Sequence, residues 1–194
     1  MIAVAAVAAV LRVRLVGGVH RCGARRVAVL VRGSCAVLVH DVPNHIPHTG
    51  IPREGVRADI VRERRRSMEE EARCPCGTGD VYAACCGPII GGRTAPTAER
   101  LMRSRYTAFA RREPRHLLRS WHPTTRPEAL DLDETLRWLS LEVLATDGGG
   151  PFEREGVVVF EARFREGKER GSLRERSRFV REDREWLYVD GMSV

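Results

Sequence analysis

Two hydrophobic periods divide the second half of this chain. Between Thr97 and Phe109 the apolar residues Ala98, Leu101, Met102, Tyr106 and Phe109 recur at helical spacing and give one apolar face. Pro96 and Thr97 start that helix, because proline is pre-set for a first turn and Glu99 falls where the helix dipole favours a carboxylate. Pro114 opens a second, short helix with Leu117, Leu118 and Trp121 facing inward. From Trp138 the period changes to two: Leu139, Leu141, Val143 and Ala145 alternate with Trp138, Ser140, Glu142 and Leu144, which predicts a strand ended by Gly148-Gly149-Gly150-Pro151. Further strands are predicted over 157–164, 173–180 and 186–190, and their short connections favour antiparallel neighbours. Helices first and antiparallel strands afterwards is an α+β order, and residues 68–194 are enough for one small core.

The first third follows neither period. Residues 1–67 are rich in Arg, Ala, Val and Gly and hold none of the chain's three Trp, three Tyr and five Phe. Met1–Leu11 is apolar, yet no basic residues precede it and it is too short to span a bilayer; a second Val-rich run is interrupted by Arg32 and Gly33. We expect residues 1–67 to be a non-native upstream extension or a disordered segment, with the domain opening at Met68. Cys22, Cys35, His20, His40, His45 and His48 therefore receive no functional role. The charge follows the same boundary. The whole chain carries +7, but residues 1–67 hold 12 Arg against 4 acidic residues, a balance of +8, which leaves −1 for the rest. The basicity that would suggest nucleic acid as partner is thus confined to the segment outside the domain.

Four cysteines fall within thirteen residues: Cys74-Pro-Cys76, then Cys85-Cys86. Two close pairs joined by a turn containing Gly77 and Gly79 can wrap four sulfurs around one tetrahedral metal, with zinc the first candidate and a reduced or redox-active cluster the alternative. A disulfide framework would spread its cysteines through the domain, and a vicinal Cys85–Cys86 bond would be strained. A thiolate metal site with no disulfide pattern suits a reducing compartment, so a cytoplasmic location is expected.

The segment Cys74-Pro-Cys-Gly-Thr-Gly, Tyr82, Cys85-Cys86 resembles the SEC-C zinc motif, named for the C-terminus of the protein-export ATPase SecA. Ala95-Pro-Thr-Ala-Glu-Arg-Leu-Met-Arg-Ser-Arg-Tyr106, Ser120-Trp-His-Pro-Thr-Thr-Arg-Pro127, Glu175-Arg-Ser-Arg-Phe-Val-Arg181 and Trp186-Leu-Tyr-Val-Asp-Gly191 are similar, in order, to the bacterial YchJ-like family. The resemblance implies a small zinc knuckle and joint over 68–92, followed over 93–194 by an NTF2-like cone whose curled antiparallel sheet encloses a pocket. Two positions depart from the family pattern: Asp80 stands where the turn is usually basic, and Arg174 where a His is common.

Two residues are candidates for chemistry in such a pocket. On the third predicted strand Leu173, Glu175, Ser177 and Phe179 share one face, and Arg174, Arg176, Arg178 and Val180 the other. A carboxylate on an apolar face makes Glu175 either a general base or one half of a buried ion pair with an arginine of residues 103–105. His122, between Trp121 and Pro123, either projects into a cleft and titrates near neutrality or is an ordinary residue at a helix end. Asp190-Gly191 offers a second carboxylate or a simple turn, and Arg103 and Arg105 offer an anion site or helix anchors. No Ser-His-Asp order, phosphate-binding loop or dinucleotide fingerprint is present.

These features lead to the expectation of a zinc-containing binding or adaptor protein, in which the metal is structural and held by Cys74, Cys76, Cys85 and Cys86. By analogy with SecA, whose similar knuckle engages a chaperone and the ribosome, the partner is a protein or the ribosome. The pocket is expected to offer a small-molecule site, and an exposed sheet face a homodimer surface; neither membrane nor nucleic acid is expected as a partner. The alternative is a small-molecule enzyme of isomerase, dehydratase or hydrolase type using His122 or Glu175 in the NTF2-like pocket.

Overall fold

The computed structural model describes residues 53–194, with side chains from residue 58 onward. The cysteines and histidines singled out between positions 20 and 48 lie outside the described residues. The described part begins with helix α1 (Arg53–Glu71), which passes through Met68 without a break and carries charged residues on every side. A short 3-10 turn (Tyr82–Ala84) and the one-turn helix α2 (Gly87–Ile90) frame the cysteines. Helices α3 (Ala98–Arg111) and α4 (Pro114–Arg119) follow, and then strands β1 (Leu136–Gly148), β2 (Glu155–Glu166), β3 (Glu169–Glu182) and β4 (Glu185–Ser193).

The strands form one antiparallel meander in the order β1-β2-β3-β4. Helix α3 lays its apolar stripe on this sheet, where Leu101, Met102 and Tyr106 meet Val158, Phe160, Phe179, Trp186 and Tyr188. Each large side chain buried there contributes about 1.5–3 kcal/mol. Thr97 caps α3 by accepting a hydrogen bond from Arg100 N at 3.1 Å. The start of α3 sits against the β1–β2 end of the sheet, where Ala98 N donates to Gly149 O at 2.9 Å. Only glycine fits at that crossing, since a Cβ on Gly156 would lie 2.9 Å from the Ala98 Cβ. After α4 the chain returns to β4: Tyr188 N donates to Ser120 O, and His122 N to Tyr188 O at 2.7 Å.

Strand β1 departs from simple alternation. Its register with β2 shifts between Trp138 and Ser140 and again between Val143 and Ala145, leaving Leu139 and Leu144 as extra, outward-turned residues. The first bulge reverses the parity, so Trp138, not Leu139, joins Leu141 on the core side. Trp138 packs against Tyr106, Phe109 and Phe164 at centroid distances of 5.7, 5.8 and 6.0 Å. Ala145 is exposed as well, so of the alternating set Leu139, Leu141, Val143 and Ala145 only Leu141 and Val143 are turned from solvent. β1 is an edge strand, and bulges of this kind discourage edge-to-edge pairing.

Candidate metal centre

The knuckle is closed by backbone pairing at its base. Residues 73 and 81 form an antiparallel bridge, with Cys74 N donating to Asp80 O and Tyr82 N to Ala72 O, both at 2.8 Å. Gly77 (φ +80°) and Gly79 (φ +90°) make the turn between them, a left-handed conformation that other residues adopt at a cost. The 3-10 turn and α2 then return the chain so that Cys85 and Cys86 face Cys74 and Cys76. All four Sγ atoms lie within 4.8 Å of one another, at 5, 0, 2 and 0 % exposure for Cys74, Cys76, Cys85 and Cys86. The Cys76 and Cys85 sulfurs are 3.4 Å apart, and Thr78 Oγ1 lies 3.2 Å from Cys85 Sγ and 3.5 Å from Cys76 Sγ. Hydrogen bonds from the Cys76 and Cys86 side chains, opposed by burial, hold the Cys74 thiol down at about 3; the Cys86 thiol is pushed up, first by its hydrogen bonding to Cys74. The hydrogen bonding thus favours the thiolate at Cys74, the species that ligates metal. Four buried, mutually adjacent sulfurs are the donor set of a closed structural site and can hold one metal ion.

The knuckle is not a bead on a string. Arg111 lies over the Tyr82 ring at 4.0 Å and reaches Glu69 of α1 at 3.6 Å. On the other side, Arg119 Nη2 donates to the carbonyls of Ile89 and Ile90 that end α2, at 3.0 and 3.2 Å. The same Nη2 donates to His116 Nδ1 at 3.1 Å, which leaves Nε2–H to donate to Ser104 Oγ at 2.9 Å; Ser104 in turn donates to Leu101 O. Burial, then the charges of Arg105 and Arg119, lowers His116 to about 3, so the ring is neutral. His116 gave no signal in the sequence beyond its place on α4, because Ser104, the partner of its Nε2, comes from another helix.

Glu175 is 1 % exposed and sits in the core. Ser177 Oγ donates to its Oε1 at 2.6 Å and Tyr188 OH at 3.3 Å, while its Oε2 has no hydrogen-bond partner. Burial raises its pKa, against the lowering effects of Ser177, Arg105 and Tyr188. Arg105, also buried, donates to Leu117 O and Ser120 Oγ and places its guanidinium 4.3 Å from the Tyr188 ring centroid. Arg105 and Glu175 therefore meet through Tyr188, with no direct ion pair between them. Arg103 is the anchor among the arginines of this stretch, bonded to Glu99 at 2.7 Å and to Cys76 O at 2.9 Å. Asp190 is held by a two-pronged pair with Arg178, which lowers its pKa.

A cavity of about 40 Å³ lies beside Arg105, bordered by Tyr106, Trp138, Phe160, Ser177 and Tyr188. Ligand pockets for metabolites span about 300–1,000 Å³. Glu175 does not border this cavity, and neither does His122. It bonds Thr124 Oγ1 at 2.7 Å through Nδ1 and Glu182 Oε1 at 3.3 Å through Nε2, so the two candidate pocket residues are not brought together. No described helix is long and apolar enough to cross a membrane.

Comparison with known proteins agrees with this geometry. The SEC-C motif matches residues 72–88, and the family model described as "YchJ, middle NTF2-like domain" matches residues 97–191. A UPF0225 protein of Streptomyces avermitilis is 50 % identical over 129 residues, covering 66 % of this chain and 89 % of the relative. One from Streptomyces coelicolor is 53 % identical over 119 residues, covering 61 % and 93 %. Among solved structures, a SEC-C motif containing protein from Rhodopseudomonas palustris is 35 % identical with a TM-score of 0.56, covering 63 % of this chain and 98 % of that one. Another from Psychrobacter arcticus is 27 % identical with a TM-score of 0.54, covering 66 % and 87 %. With its SEC-C cysteines joined to a helix-on-sheet NTF2-like domain, the chain belongs to the UPF0225 family.

Proposed function

We propose that this chain is a zinc-binding, non-catalytic adaptor whose knuckle, shaped by one structural zinc, docks a protein or ribosomal partner. The carrying observation is the closed set of four buried sulfurs. Four thiolates fill a tetrahedral shell and leave no position for water or substrate, so the metal supplies rigidity. It stiffens a rim that faces away from the body, where Thr78, Gly79, Asp80, Val81, Ala83 and Ala84 are exposed. Val81, at 42 % exposure, is the apolar point of that rim. The similar SecA knuckle, which engages a chaperone and the ribosome, is an analogy that sets the kind of partner.

Native mass spectrometry of the full chain, purified without chelator, tests the metal: one zinc per chain is expected, and a metal-free chain with four free thiols in the knuckle overturns the reading. Co-sedimentation with ribosomes, alone and with Val81→Asp, tests the partner. Binding by the wild type that Val81→Asp abolishes, with zinc content unchanged, supports docking through the rim. Binding that persists at full strength in that variant removes the rim from the reading.

The second reading, an enzyme of isomerase, dehydratase or hydrolase type, draws on Glu175, whose raised pKa and unpartnered Oε2 suit a base. It requires the core cavity of about 40 Å³, which Glu175 does not border, to open far enough to admit a substrate and expose that carboxyl to it. A small molecule co-purifying with the wild type and lost from Glu175→Gln would move weight to it.

A further inference from the structure

The knuckle rests on a stripe of α3 that belongs to the NTF2-like domain. Arg100, Arg103 and Thr107 are spaced three and four residues apart, so they line one side of the helix. Arg100 Nη1 donates to Cys85 Sγ at 3.6 Å and Nη2 to Cys85 O at 3.2 Å. Arg103 Nη1 donates to Cys76 O at 2.9 Å, and Thr107 Oγ1 lies 3.6 Å from Cys74 Sγ. Three of the four cysteines are thus contacted from one helix of the other domain. The sheet also approaches the knuckle: a Cβ on Gly77 would lie 3.3 Å from Leu141 O of β1.

Charge gives this stripe a purpose. Four thiolates around a divalent ion leave two negative charges in a site shielded from water, which is costly unless cations or donors balance them. Arg100 brings a guanidinium to a ligand sulfur, and in metal centres such partners orient the ligands and tune their basicity. We propose that Arg100, supported by Thr107, is a positioning residue of the metal centre, and that the centre is completed by α3 and not by the knuckle alone. The inference deepens the zinc reading and rests on it to the extent that a thiophilic divalent ion must bind.

The test is metal affinity in the full chain, measured by competition with a chromophoric chelator for zinc, alongside the sulfur-to-metal charge-transfer spectrum of the cobalt-loaded protein. Arg100→Gln is expected to weaken zinc binding by about 10-fold or more and to shift the cobalt charge-transfer band. Arg100→Lys recovers part of the affinity by restoring the charge, and Thr107→Val weakens binding to a lesser degree. Arg115→Gln, an exposed arginine on α4, serves as the charge control and leaves both readouts unchanged. Should Arg100→Gln fail to fold without metal, the Arg100→Lys and Thr107→Val affinities carry the test. Affinities for Arg100→Gln, Arg100→Lys and Thr107→Val all within twofold of the wild type, with superimposable cobalt spectra, overturn the inference and leave the zinc reading intact. A wild-type chain that takes up neither ion overturns both.

Discussion

Gly191→Ala should destabilise this protein by an amount that the position of Glu175 determines. Gly191 stands opposite Ser177 in the β3–β4 pairing, and the Glu175 side chain crosses over it. A Cβ at Gly191 would overlap Oε1 and Cδ of Glu175 and lie 2.9 Å from its Cγ. The glutamate cannot simply swing aside, because it is buried and tied to Ser177 at 2.6 Å and Tyr188 at 3.3 Å. Disturbing hydrogen bonds to a charged or partly charged group costs about 1.5–3 kcal/mol. Overpacking adds about 1–3 kcal/mol, and the reduced freedom of the unfolded chain returns about 0.4–1 kcal/mol. The net expectation is roughly 3 kcal/mol, or about 12 °C in melting temperature for a domain of this size. Urea unfolding followed by tryptophan fluorescence measures it. The decisive arm is the double variant with Glu175→Ala, in which the shortened side chain leaves room for the methyl group, so that most of the Gly191→Ala penalty should vanish. Equal penalties in both backgrounds, or a single-variant cost below about 0.5 kcal/mol, would refute the argument.

Other consequences follow from the same structure. Because burial lowers His116 to about 3 in the folded state while the unfolded chain titrates near 6.5, stability is full above about pH 6.5 and falls as the pH drops toward 3, by at most about 1.4 kcal/mol per pH unit; His116→Gln should flatten that segment of the stability–pH profile, and an unchanged slope would show that the ring is not held neutral. Removing metal with a chelator should lower the melting temperature, and zinc but not magnesium should restore it; at 100 times its Kd the ion adds about 2.7 kcal/mol. Thr97→Ala deletes the cap of α3 and should cost about 1 kcal/mol by chemical denaturation, with Thr97→Ser retaining most of the stability.

The order of elements, the apolar face of α3 and the metal-ligating potential of the cysteines were legible in the sequence, because each depends on spacing within a few residues. A 3.6-residue period, a proline before a cap and two close cysteine pairs act locally. The stripe of Arg100, Arg103 and Thr107 was also present at helical spacing, but nothing in the sequence said that the cysteines lay beneath it. Other features needed the tertiary structure because they join distant segments. The bulges in β1 put Trp138 and not Leu139 in the core, and a register shift is a property of two strands together. His122 found Glu182 from a position 60 residues away, outside the cavity where its sequence neighbours suggested it. The alternation of β3 put Glu175 on the same face as Phe179, and it is buried there, but its partners are Ser177 and Tyr188, with Arg105 reaching it only across the tyrosine ring. Local spacing determined which residues were able to ligate, cap and pack; the burial and long-range pairing that decide their protonation and partners arose only when α3 was laid between the knuckle and the sheet.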